Sequence, residues 1–247
     1  MNILTSYFTS EKHPQYLDSS VIGVLSDGCV KDNSDDYMGN WYNSSISNNL
    51  SPIIFYDSLS LDFIKNYQAK FIEHKHNGYT LNDSRFFAWR NYIGDNYNAC
   101  SEFIALTDCS DVEVIRNPEE FIKNRNEFLF CGGENKKLGD YISCDGSNYL
   151  SNHINFNWNN LNIFKDNNFD LINAGVIVGR KENILKFLDL FCEMRIATGF
   201  KKMNINMMLV NYCARVLFGE SILVGEPITS KYKKFETDRK DVYFRHK

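Results

Sequence analysis

Apolar positions along this chain follow two rhythms. Short unbroken runs, rich in β-branched and aromatic residues, predict buried strands: Ile3 to Thr9, Pro52 to Tyr56, Glu102 to Thr107, Phe128 to Cys131, Phe169 to Val178 and Ser221 to Val224. Longer stretches repeat apolar residues every three or four positions. Residues 182–197 do so most clearly, with Ile184, Phe187, Leu188, Phe191 and Met194 on one side of a helix. Met203 to Phe218 predicts another helix, stopped by Gly219. Ser60 stands where it can cap a helix reaching about His74, Asp83 where it can cap one over Ser84 to Ile93, and Pro118 where it can open a third. Residues 26–51 and 146–168 keep neither rhythm and predict loops, the first long and polar enough to serve as a flap. Strands alternating with helices argue an α/β fold, with a mostly parallel sheet and a site at the carboxyl ends of its strands. No repeat or linker divides the chain, so one domain over residues 1–247 is expected.

Composition adds mainly exclusions. Apolar residues make up 43% and charged residues 23% of 247 positions, which suits a globular chain with a sizeable core. A formal net charge of −4 supplies no drive onto nucleic acid, so no nucleic-acid partner is expected. No uncharged apolar run approaches 18 residues, so no integral membrane segment is expected, and residues 1–8 lack the features of a signal peptide. Seven scattered cysteines without a Cys-x-x-Cys pair read as a reduced, cytoplasmic set, with Cys100, Cys109, Cys131, Cys192 and Cys213 as small core residues.

Three segments carry candidate chemistry. The strand Phe103 to Thr107 runs straight into Asp108-Cys109-Ser110-Asp111, two carboxylates three positions apart that can turn toward one hard cation. Short acidic turns also arise simply as turn formers. The run Leu171 to Val178 is interrupted by Asn173-Ala174-Gly175; a glycine within a strand marks either a bulge or the close approach of a ligand or another backbone. Residues 242–247, Val-Tyr-Phe-Arg-His-Lys, place His246 and Lys247 after a short apolar strand, as a metal ligand and a diphosphate-binding cation or as a solvated tail. A P-loop, a dinucleotide-binding glycine fingerprint, a nucleophile elbow and a His-Glu-x-x-His helix are all absent.

Taken in order, these segments resemble the GT-A class of nucleotide-sugar glycosyltransferases. Asp108-Cys109-Ser110-Asp111 is similar to the Asp-x-x-Asp form of that class's metal motif, as found in the glycosyltransferase domain of lysyl hydroxylases. Asn173-Ala174-Gly175-Val176 is similar to the Asn-Ala/Ser-Gly strand of glycogenin-like transferases. Asn206 to Asn211 stands where those families open a helix with Asp-Gln-x-x-x-Asn, and His246 stands where a late histidine completes the metal site.

The resemblance implies a Rossmann-like, mixed, mostly parallel GT-A sheet flanked by helices, and transfer of a sugar from a nucleotide-sugar donor, UDP favoured, to a glycan or other hydroxyl acceptor. It implies Mn²⁺ or Mg²⁺ held by Asp108, Asp111 and His246. The donor would meet Tyr7, Phe8 and Thr9 as stacking face and backbone contacts, Asp57 at a ring N–H, Arg85 at sugar or phosphate, and Lys247 at the diphosphate. Glu134, Asn173 and Asn206 would be the catalytic positions. One departure stands out: Asn206 replaces the usual Asp, and an amide acts neither as base nor as nucleophile. That favours, as the alternative, a catalytically weak nucleotide-sugar-binding protein. A nucleotide-sugar pyrophosphorylase is disfavoured, because its glycine-rich loop after the first strand is missing.

Overall fold

The computed structural model describes residues 1–13, 24–76, 78–141, 169–199, 201–232 and 236–246. The loop expected over 146–168 therefore lies outside the described residues. The described elements are β1 (Asn2–Tyr7), α1 (Asp35–Ser47), β2 (Ser51–Tyr56), α2 (Leu61–Ile64), β3 (Lys70–Glu73), α3 (Leu81–Asp95), β4 (Phe103–Thr107), β5 (Val112–Val114), α4 (Glu119–Lys123), β6 (Leu129–Lys137), α5 (Leu138–Tyr141), β7 (Asp170–Arg180), α6 (Lys181–Ala197), α7 (Asn206–Phe218), β8 (Ile222–Val224) and β9 (Phe244–His246).

Seven strands form a sheet in the order β3-β2-β1-β4-β7-β6-β8. Only β7 runs against its neighbours; the β3–β2, β2–β1, β1–β4 and β6–β8 pairs are parallel. The sheet is thus α/β, mixed and mostly parallel, as expected from the alternation. β7 lies inside the sheet between β4 and β6, and Leu171 to Gly179 is buried throughout, which explains a run too apolar to alternate. It continues through Gly179, where the sequence reading stops it. A two-stranded ribbon pairs β5 with β9 antiparallel, Val112 opposite His246. Helices flank the main sheet. Phe86 of α3 stacks on Phe191 of α6, ring centroids 3.9 Å apart, and α6 packs in turn on α7.

The expected loop over 26–51 instead contains a 13-residue helix, α1. Ser34 caps it, accepting from Asp36 N–H, and Asp35 and Asp36 favour its first turn. Its buried residues Tyr37, Met38, Trp41 and Ser45 keep helical spacing, but they are few and one is a serine, so the composition of a loop conceals them. The Trp41 indole donates to Thr107 Oγ1 at 2.8 Å, tying α1 to the last residue of β4.

The helix expected from Ser60 to His74 is one turn long. Lys70–Glu73 adds instead to β2 as the parallel edge strand β3, where backbone pairing outweighs the local helical pattern. Thr80, not Asp83, caps α3 and accepts from Asp83 N–H. Asp83 points inward and meets Arg195, both side chains wholly buried. Arg195 also donates to the carbonyls of Lys201 and Met203, which fixes the approach to α7. The five cysteines assigned to the core are all buried and unpaired.

Candidate functional site

The carboxyl end of β4 is held from three sides before the chain reaches Asp108. Thr107 accepts from Trp41, its carbonyl accepts from Thr5 Oγ1 at 2.9 Å, and Asp108 N–H donates to Gly175 O of β7 at 2.8 Å. Asp111 ends the turn into β5. Because β9 pairs with β5, His246 is brought back beside Asp111, with Ser230 Oγ accepting from its N–H at 2.9 Å. His246 Nε2 then lies 3.5 Å from Asp111 Oδ2 and 4.0 Å from Asp108 Oδ2. Among the described residues these three form the one grouping of His, Cys, Asp and Glu with ligand atoms close enough to share an ion.

Two observations bear on whether the cluster fits a divalent cation. Asp111 Oδ1 and both His246 ring nitrogens are buried and make no hydrogen bond, a costly state for groups that serve packing alone. Gly175 faces them across the strand pair: a Cβ there would meet His246 Cε1 at 2.3 Å and Asp108 Oδ2 at 2.7 Å. The glycine in β7 thus makes room for the side chains of His246 and Asp108, rather than for the ligand or backbone that the sequence suggests. Two carboxylates and an imidazole suit a hard to borderline cation.

Next to this cluster is a cavity of about 500 Å³ lined by Arg85, Asp108, Glu134, Asn173, Asn206 and Tyr232, among others. Asn173 donates to Glu134 Oε1 and accepts from Gly175 N–H, each at 2.7 Å, so one amide orients both the carboxylate and the glycine backbone. Glu134 projects from a stretch of β6 where the register with β7 shifts twice. Asn211 of α7 bonds both the N–H and the C=O of Ile172 at 2.9 Å, the β7 residue paired in register with Gly133. Asn206, the first residue of α7, accepts from Met207 N–H at 2.7 Å. A second cavity of about 520 Å³ shares Glu134, Asn135 and Lys136 with the first.

Arg85 is buried and paired with Asp108, rather than forming a surface ion pair. Burial lowers its guanidinium to about 10, which leaves it charged at neutral pH. Sequence reasoning missed His13 and Tyr232. Burial and the Arg85 charge push His13 down to about 4, against the pull of Asp111. The Tyr232 ring lies 4.4 Å from that of His246. Both sit in irregular segments, where no periodicity marks them.

The expected base-binding residues are placed differently. Tyr7 is fully buried, stacked on Tyr37 at 4.8 Å, and its hydroxyl donates to Lys31 O and accepts from Ser34 N–H. Phe8 is likewise buried, against His74 and His76. Neither ring offers a free stacking face, because the aromatic pattern at the end of β1 serves the core.

Thr9 N–H donates to Asp57 Oδ1 at 2.8 Å, while Ser10 N–H, Ser10 Oγ and His76 Nε2 converge on Oδ2. Burial raises the Asp57 carboxyl, but these bonds outweigh it and hold it at about 2. Asp57 is engaged in clamping the exit of β1 rather than standing free to read a ring N–H. Lys247 lies outside the described residues.

An active-site mutant of LgtC superposes over 100% of this chain and 86% of its own, with TM-score 0.55 at 11% identity. WbbM, a bifunctional glycosyltransferase, is matched over 45% of its length, with TM-score 0.55 at 12% identity. A glycosyltransferase involved in glycosylating the major capsid of PBCV-1 is matched over 92% of its length, with TM-score 0.53 at 12% identity. The fold is that of GT-A glycosyltransferases. No protein-family model and no curated protein matches the sequence. Among the described residues no helix is long and apolar enough to cross a membrane.

Proposed function

We propose that this GT-A-fold protein is a metal-dependent glycosyltransferase that moves a sugar from a nucleotide-sugar donor, UDP favoured, to a saccharide or other hydroxyl acceptor. The observation that carries the reading is the Asp108–Asp111–His246 cluster, with Asp111 Oδ1 and both imidazole nitrogens buried and without hydrogen bonds, beside a cavity that Asp108 lines at the carboxyl end of β4. Mn²⁺ or Mg²⁺, with the imidazole favouring Mn²⁺, would be held by these three side chains and would neutralise charge developing on the departing diphosphate.

The chain's own residues divide the remaining work. Arg85 supplies fixed positive charge to the anionic part of the donor. Asn173 orients Glu134 toward the cavity, and Asn206 offers an amide to donor or acceptor hydroxyls. Glu134 stands where the two cavities meet, so the second cavity is the natural acceptor side. Lys247 would reach the diphosphate.

A thermal-shift screen of UDP-, GDP- and dTDP-sugars with Mn²⁺ tests the reading, since a bound ligand stabilises by RT ln(1 + [L]/Kd). Metal-dependent stabilisation by at least one donor is expected, followed by release of nucleoside diphosphate when acceptors are added. No stabilisation by any of them counts against it. The weak-binder alternative is favoured by Asn206, whose amide oxygen is turned to Met207 N–H in a place where the related motif has a carboxylate. Donor binding without diphosphate release would select it.

A further inference from the structure

Arg85 occupies a place where a charged side chain is costly to bury, at 5% exposure. It sits in the first turns of α3, with the rings of Phe86 and Trp89 at 5.2 and 5.3 Å from its guanidinium carbon. Its Nη2 donates to Ala174 O at 3.3 Å, while Nε has no partner. Nη1 pairs with Oδ1 of Asp108, whereas Oδ2 of the same carboxylate faces His246. One oxygen of Asp108 is thus spent on an internal cation, and the other is turned to the cluster.

We infer that Arg85 is the resident counter-cation of the Asp108–Asp111–His246 cluster and keeps divalent-cation affinity low until a polyanionic ligand arrives. Two effects act together. The guanidinium cancels one of the cluster's two negative charges and repels an incoming dication. It also leaves Asp108 one oxygen to offer instead of two. A diphosphate reverses the balance, because its charge is attracted by the arginine and by the cation alike. Cation and polyanion then favour each other's binding by the same factor, as linkage requires. Only the identity of the polyanion rests on the nucleotide-sugar reading; the effect of Arg85 on the bare cation does not.

The test is titration of the protein with Mn²⁺ alone, followed by electron paramagnetic resonance of the free ion, and again with UDP or GDP present. The parent should bind Mn²⁺ alone weakly and more tightly with nucleotide. Arg85→Gln should bind Mn²⁺ alone about tenfold more tightly than the parent and lose a similar factor from the nucleotide effect. Arg85→Lys keeps the charge and should stay within about threefold of the parent.

A folded Arg85→Gln protein that binds Mn²⁺ alone no better than the parent overturns the inference, as does an Arg85→Lys protein that binds as tightly as Arg85→Gln. Should the glutamine variant fail to fold, Arg85→Met keeps the packing on Phe86 and Trp89 and is judged by the same criterion. The parent carries a check of its own: Mn²⁺ binding with Kd of about 1 µM or tighter in the absence of nucleotide also overturns the inference. If neither UDP nor GDP alters Mn²⁺ affinity in the parent, yet Arg85→Gln still tightens it, the role of Arg85 stands and the nucleotide reading falls.

Discussion

Asp57 and Asp108 leave β2 and β4, the two parallel strands that flank β1, at the same edge of the sheet. Their surroundings are opposite. Four hydrogen bonds converge on Asp57, from Thr9, Ser10 twice and His76, and its carboxyl is held at about 2. Asp108 shares one oxygen with Arg85, and the cluster it joins leaves Asp111 Oδ1 and both nitrogens of His246 buried without hydrogen bonds. A carboxylate whose acceptor sites are filled by its own chain is a fastener. One grouped with other unfilled polar atoms is kept for something from outside. The family resemblance implies a ligand-binding role for both, and only the count of satisfied acceptors separates them.

The largest expected effect breaks the unfilled side. In Gly175→Val, the new Cβ collides with His246 and Asp108, so Mn²⁺-dependent nucleotide binding should vanish in calorimetry. Overpacking should also lower stability by about 1–3 kcal/mol, read as a drop in Tm. Asp111→Asn should weaken Mn²⁺ binding measured with UDP or GDP by about a hundredfold, roughly 2.7 kcal/mol, while Tm without ligand hardly moves. A large loss of Tm there would mean that Asp111 is structural after all.

Asp57→Asn should give the converse, costing about 2 kcal/mol of stability with Mn²⁺ affinity unchanged. Because folding depresses the Asp57 pKa, its contribution is complete above the unfolded value of about 4 and disappears as pH falls toward about 2. The gap in Tm between parent and variant should close over that window; a gap independent of pH would exclude an ionic origin. The smallest effect belongs to Tyr7→Phe, which removes the hydroxyl between Lys31 and Ser34 and should cost about 1 kcal/mol in denaturant titration. Nucleotide affinity should be the same in both proteins, and a clear loss would return Tyr7 to the ligand.

The parts of the molecule that were legible in the sequence are those fixed by local pattern. β4 with its two carboxylates, β7 with its glycine and α6 with its apolar stripe are all visible as runs or periods. The return of His246 to Asp111 was legible only through family resemblance, since nothing local marks the β5–β9 pairing. What escaped depends on tertiary contacts. α1 is held by Trp41 and a cap rather than by a broad apolar face, and β3 is a strand because β2 offers an unpaired edge. The pairing of Arg85 with Asp108 joins residues 23 positions apart through the packing of α3 on the sheet, which no spacing rule encodes.

The distance along the chain between the ligands has a consequence for biosynthesis. Asp108 and Asp111 emerge from the ribosome well before His246, and the β5–β9 ribbon that unites them forms across more than a hundred intervening residues. Closing so long a loop is entropically dear and must follow the local contacts. The strands from β1 to β7 can pair while the cluster still lacks its imidazole, so a growing chain can pass through a stage with most of the scaffold and an incomplete cation site. Ions met during synthesis would then find two carboxylates and a guanidinium, and the third ligand only when residue 246 has docked.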